Sequence, residues 1–303
     1  MRWFLIAIVV LLEPTASVAV VRVVTTTPTH ADLVRKVGGD HVEVECLMRG
    51  PENPHNVIPK PSFIIKLRKS DLFVHTGLDA EPWVPVLLKS ARKEHLLPGA
   101  RGYLDLSRGI ALKEVPKRGE LSRAQGDIHV YGNPHYALDP LNGIRMARTI
   151  AEALARVDAD HAEVFEANYE AFARRMHQLV GKWLSLLEPH GTVPVATYHR
   201  SWSYFMDRFY LEQVAEVEPK PGIAPGPKHL TDCVARMKAH GARIVILTTF
   251  SNEKNGRLVA QRAGGKAVIL AQEVHAFPEV DSYEELFEYN AQALLAVYQE
   301  LGI

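Results

Sequence analysis

Residues 158 to 187 read as one long amphipathic helix, and the strand–helix pattern that precedes this stretch begins again after it. Phe165, Tyr169, Phe172, Met176, Leu179, Trp183 and Leu187 recur at helical spacing. Asp158 or Asp160 can cap the start, and Pro189 and Gly191 end the run. Thirty helical residues rise about 45 Å, three times an ordinary globular helix. A helix of that length is expected to join two lobes as a stiff strut, and to restrict their relative motion to small shifts and loop movements.

On the N-terminal side, β-branched or alternating strands at 20–26, 42–48, 71–76 and 103–106 alternate with helices at 29–37, 62–69, 81–92 and 140–156. On the C-terminal side, strands at 193–198, 212–217, 242–247 and 266–270 alternate with helices at 202–209, 228–240, 254–263 and 282–300. Strict alternation implies parallel sheets covered on both faces. The expected fold is therefore α/β, with two similar α/β lobes of mostly parallel sheet joined by a long rigid helix. The boundaries fall at 20–157, 158–188 and 189–303. The polar, turn-rich stretch 113–134 reads as a surface loop. Hydrophobic residues at 47% supply two cores, and the balance of 35 basic against 35 acidic residues argues against a nucleic-acid partner.

Residues 1–19 have the form of a secretory signal. Arg2 precedes ten apolar residues, Trp3 to Leu12, and small residues stand at Ser17 and Ala19. Ten apolar residues are too few to cross a bilayer, which takes about 20. Cleavage is expected after Ala19, giving a periplasmic, monomeric protein, and no cysteine lies near that point to take a lipid. Cys46 and Cys233 fall in different lobes and are expected to be free thiols.

Three of the 14 histidines occupy related places. His55 follows the second strand, His135 ends the 113–134 loop before a helix, and His199 follows the first strand of the second lobe. Ligands of open α/β sheets bind beyond the carboxyl ends of strands. Two of these imidazoles come from one lobe and one from the other, so they can converge across the cleft. Asn53-Pro54-His55 and Asn133-Pro134-His135 repeat one tripeptide, whose proline stiffens the backbone around the following imidazole. Spacing alone does not establish a shared metal site.

Longer stretches carry a resemblance. They are Pro54-His55-Asn56-Val57-Ile58-Pro59-Lys60-Pro61-Ser62, residues Lys69 to Trp83, Gly132-Asn133-Pro134-His135-Tyr136-Ala137-Leu138-Asp139-Pro140, Tyr198-His199-Arg200-Ser201-Trp202-Ser203-Tyr204-Phe205, Glu218-Pro219-Lys220-Pro221-Gly222 and Asp281-Ser282-Tyr283. In this order they resemble the cluster A-I solute-binding proteins of ATP-binding-cassette importers for zinc and manganese. The resemblance implies an interlobe metal site, no enzymatic activity, and an inner-membrane importer permease as partner. His55, His135 and His199 match the first three ligand positions. Manganese-type members place a carboxylate at the third. An imidazole there favours Zn²⁺ as the transported ion, since Mn²⁺ prefers oxygen.

At the fourth position the chain departs from the resemblance. Ala271 stands where many members carry an aspartate, which leaves Glu273, His275 or a water to complete the site. A three-histidine site with an open position also resembles a catalytic zinc site. An exported zinc hydrolase is therefore one alternative, although no His-Glu-x-x-His or Gly-x-Ser-x-Gly run is present. A Mn²⁺ or Fe²⁺ binder on the same fold is another. Glu218 is expected to accept a hydrogen bond in the cleft. His129, on the loop near His135, is expected to be a solvated loop residue, the alternative being that it delivers metal or covers the site, and the remaining histidines are expected to be surface or structural residues. Lys113, Lys117, Arg118 and Arg123 make the loop a poor metal scavenger.

Overall fold

The computed structural model describes residues 20–116, 129–220 and 222–303. The expected signal segment and its cleavage point lie outside the described residues. In the first lobe, β1 (Val21–Thr25), β2 (Val42–Cys46), β3 (Leu72–His75) and β4 (Tyr103–Asp105) form a parallel sheet in the order β2-β1-β3-β4. In the second, β5 (Val193–Thr197), β6 (Leu211–Glu216), β7 (Ile244–Leu247) and β8 (Lys266–Ile269) repeat that topology as β6-β5-β7-β8. The fully buried runs of β3 and β7 are what a strand covered on both faces requires.

Helices α1 (Pro28–Gly38), α2 (Pro61–Lys69), α3 (Val84–Ala91) and α4 (Pro140–Val157) clothe the first sheet. Helices α6 (Ser203–Arg208), α7 (Pro227–Ala239), α8 (Glu253–Arg262) and α9 (Tyr283–Leu301) clothe the second, and α5 (Ala162–Leu187) runs between the lobes. Side-chain caps define several starts: Thr27 for α1, Asp139 for α4, Asn252 for α8 and Ser282 for α9.

Two expected helices begin elsewhere. The connecting helix does not run unbroken from 158. Asp158 ends α4, its carboxylate takes the His161 ring at 2.6 Å, and a 3-10 turn over Ala159–His161 precedes α5. The remaining 26 residues rise about 39 Å. The helix expected from 81 starts at Val84, because Gly77, Leu78 and Asp79 all have positive φ (76°, 53° and 57°) and reverse the chain. Glu81 is thereby freed from the helix and buried, accepting from Thr26 Oγ1 at 2.8 Å and the Thr76 N–H at 3.1 Å.

α5 is less a bare strut than the spine of one shared core. Phe165, Phe172 and Met176 pack with α1 and α4, and Trp183 lies 5.5 Å from the Phe287 ring of α9 within the same continuous cluster. α9 in turn reaches back to the first lobe. The Tyr283 hydroxyl donates to the Ala137 carbonyl at 2.6 Å, and its N–H donates to Asp32 Oδ2 at 2.8 Å. Arg208 grips both oxygens of Asp139 at 2.9 Å. Separate apolar clusters lie under α2 and α3 in the first lobe and under α7 and α8 in the second. Cys46 and Cys233 are free, and burial pushes both thiols up to about 11.

Candidate metal centre

Both Asn-Pro-His tripeptides form the same turn. The Asn53 side-chain oxygen accepts the His55 N–H at 3.0 Å, and the Asn133 oxygen accepts the His135 N–H at 3.0 Å. Such asparagine turns fix the backbone locally, and each proline fixes its own φ. The Trp83 indole clamps the first turn by donating to the Pro54 carbonyl at 2.9 Å. Asn133 also donates to the Arg200 carbonyl at 3.0 Å, so one side chain links the His135 turn to the residue after His199. His199 itself follows the carboxyl end of β5, where a crevice is expected.

One nitrogen from each of His55, His135 and His199 lies within 4.8 Å of the other two. The Nε2 atoms of His55 and His135 are 3.4 Å apart. Two nitrogens bound tetrahedrally to one zinc at ordinary bond length sit about 3.3 Å apart, so this edge already has the spacing a metal requires.

The other ring nitrogen of each histidine is engaged. His55 Nδ1 lies 2.7 Å from the Ala80 carbonyl, His135 Nδ1 2.8 Å from Asn133 Oδ1, and His199 Nδ1 2.6 Å from Glu218 Oε2. All three partners are acceptors, so each Nδ1 carries a proton and each Nε2 is the nitrogen left for a metal. Outer hydrogen bonds of this kind orient imidazoles and raise their basicity toward a metal. Burial, reinforced by the neighbouring His55, His199 and His129 rings, holds His135 well below the usual imidazole range. It is therefore neutral, the state that binds a metal.

The candidates for a fourth position sit elsewhere. Ala271 is fully buried, its backbone paired in both directions with the Asn290 amide at 2.7 and 2.8 Å. Glu273 accepts the Thr29 N–H at 3.2 Å, and burial pushes its carboxyl up to about 7 against the hydrogen bonds from Thr29 and Thr27. His275 is exposed, has a φ of 61° and pairs with Asp281 at 3.3 Å. Neither Glu273 nor His275 joins the three-histidine group. Glu218 takes the acceptor role expected of it. His129 departs from expectation: it is half-buried, with its ring centroid 4.7 Å from that of His55. His30 and His75 are buried beside Glu81, the structural of the two places expected for them. Burial lowers His30 to about 4. Burial alone would raise Glu81, but hydrogen bonds and charge from His75, with His30 and Thr76, hold it at about 2.

Residues 23–297 match the family model described as ZnuA, the periplasmic component A of a zinc-uptake complex. The chain belongs to that family. Among its relatives is the zinc-binding protein AdcA of Streptococcus pyogenes serotype M3, 24% identical over 259 residues, which are 83% of this chain and 50% of AdcA. The zinc-binding lipoprotein AdcA of Streptococcus pneumoniae R6 is 24% identical over 286 residues, 92% of this chain and 56% of that protein. The chain thus spans about half the length of these curated relatives. A crystal structure of ZnuA superposes with a TM-score of 0.76 at 26% identity, covering 92% of this chain and 99% of that one. A zinc-bound ZnuA deletion mutant gives 0.75 at 25%, covering 92% and 98%. FpvC of Pseudomonas aeruginosa, solved with Mn²⁺, shares the fold at 24% identity, with a TM-score of 0.76 over 93% of this chain and 100% of that one.

Proposed function

We propose that this protein captures Zn²⁺ between its two lobes through the Nε2 atoms of His55, His135 and His199, and delivers it to the permease of an ATP-binding-cassette importer. The observation that carries this reading is the convergence of three imidazoles whose Nδ1 atoms are each held by an acceptor. Three nitrogen donors suit a borderline-soft ion and disfavour Mn²⁺, which prefers oxygen. The zinc named for the AdcA and ZnuA relatives supports the same ion.

The protein acts as a receptor rather than as an enzyme. It is exported through cleavage after Ala19, works as a periplasmic monomer, and meets its permease at the inner membrane. No helix among the described residues is long and apolar enough to cross a membrane. Because α5 and α9 tie the lobes into one core, capture and release proceed through local movement around the histidine turns rather than a wide hinge.

Titration of the purified protein with Zn²⁺ and Mn²⁺ tests the reading. One tightly bound Zn²⁺ per chain, with much weaker Mn²⁺ binding, is expected. Tight Zn²⁺ binding that persists in the triple variant His55→Ala, His135→Ala, His199→Ala would overturn it.

A further inference from the structure

Four imidazoles crowd the cleft, not three. The His129 ring centroid lies 4.7 Å from that of His55 and 6.0 Å from that of His135. Within the triad the separations are 5.4, 6.4 and 5.9 Å. Two imidazoles bound tetrahedrally to one zinc place their centroids about 5 Å apart, given the usual zinc–nitrogen distance. His129 therefore stands at ligand-like spacing from two members of the triad.

It shares a backbone segment with one of them. The His129 ring is hydrogen-bonded to the backbone of Asp79, while the next residue, Ala80, holds His55 Nδ1 with its carbonyl. The left-handed turn at Leu78 and Asp79 thus aims two imidazoles from one short segment of backbone. Strain of this kind in non-glycine residues persists where the surrounding structure enforces it. His55, His129, His199 and Glu218 line one cavity of about 190 Å³. Neither Glu273 nor His275 faces the triad, since Thr29 engages the first and Asp281 the second.

We infer that His129 is the fourth protein ligand, so that the captured ion is held by four imidazoles. This rests on the reading of the triad as the zinc site. The His129 nitrogens lie outside the 4.8 Å group, so the ring moves inward when the ion arrives. Four nitrogens close the coordination sphere. No position remains for the activated water a hydrolase needs, and the donor set moves further from what Mn²⁺ prefers.

The test compares the full chain with His129→Gln. Zinc-edge X-ray absorption counts the imidazoles, and competition with a chromophoric chelator measures Zn²⁺ affinity. Four imidazoles in the parent, three plus an oxygen in the variant, and a loss of about 100-fold in affinity are expected, at the upper end of what supporting groups alone contribute. Melting of the metal-free proteins controls for a loss of fold, since the ring is half-buried. Three imidazoles in both proteins, with affinities within twofold, would overturn this inference and leave the triad standing. Failure of the parent to bind Zn²⁺ would overturn both.

Discussion

Replacing Glu218 by glutamine removes one charge from the site without touching a metal ligand. In the structure Glu218 Oε2 lies 2.6 Å from His199 Nδ1, and the two side chains are 15% and 16% exposed. A hydrogen bond to a charged group contributes about 1.5–3 kcal/mol where a neutral one contributes about 0.5–1.5, so the loss of charge alone costs about 1 kcal/mol, or fivefold. The amide adds a second penalty. Its NH₂ can donate to Nδ1, which favours the tautomer with a proton on Nε2, where the metal must bind. Metal binding also makes Nδ1–H more acidic, so the bond to Glu218 is stronger in the loaded state and its loss falls on affinity. Together these place Glu218→Gln at a 10- to 100-fold loss of Zn²⁺ affinity, the range seen when outer-shell partners are removed. Chelator competition at pH 7.5 measures it, with the double variant His199→Ala, Glu218→Gln as the control. If Glu218 acts only through His199, the double variant binds no more weakly than His199→Ala alone. An affinity within twofold of the parent, or additive losses, would refute the reasoning.

Three further outcomes follow from buried groups and close packing. His30 is lowered to about 4 from 6.5, so the unfolded chain binds the extra proton first. Its contribution is fully present above pH 6.5 and lost as pH falls through 4, about 3 kcal/mol in urea unfolding, and His30→Asn should flatten that slope. Glu273 is raised to about 7 from 4.5, so its stabilising protonated form is lost as pH rises through 7. Glu273→Gln should therefore stabilise the protein by about 1–2 kcal/mol at pH 8 and leave it unchanged at pH 4, read as a shift in melting temperature. A Cβ on Gly143 would lie 2.1 Å from the Tyr283 ring, so Gly143→Ala should cost about 1–3 kcal/mol of unfolding free energy by overpacking the contact between α4 and α9.

The two sheets are legible because the runs around Val23, Val74, Val195 and Val245 are mostly buried and are separated by helices with apolar stripes. The prolines of the two Asn-Pro-His turns announce their stiffness in the chain, but the second constraint lies in the asparagine side chains. The structure adds the Asn53 and Asn133 side-chain acceptors. What could not be read is tertiary. Glu81 looked like the start of a helix, since nothing local reveals that Thr26, 55 residues earlier, offers its hydroxyl. The expected helix start at Asp158 failed because its carboxylate had a nearer partner in His161. Glu273 and His275 are close in sequence to the missing aspartate, yet Thr29 and Asp281 hold them. His129 carries no motif, and its place beside His55 depends on the Asp79 backbone, 50 positions away.

Crystals grown with one equivalent of Zn²⁺, measured on both sides of the zinc absorption edge, locate the ion without assuming its ligands. A single anomalous peak is expected in the cleft, about 2.0–2.1 Å from the Nε2 atoms of His55, His135 and His199. A peak bound through Nδ1, or one centred on Glu273, His275 or any place outside the cleft, would contradict it.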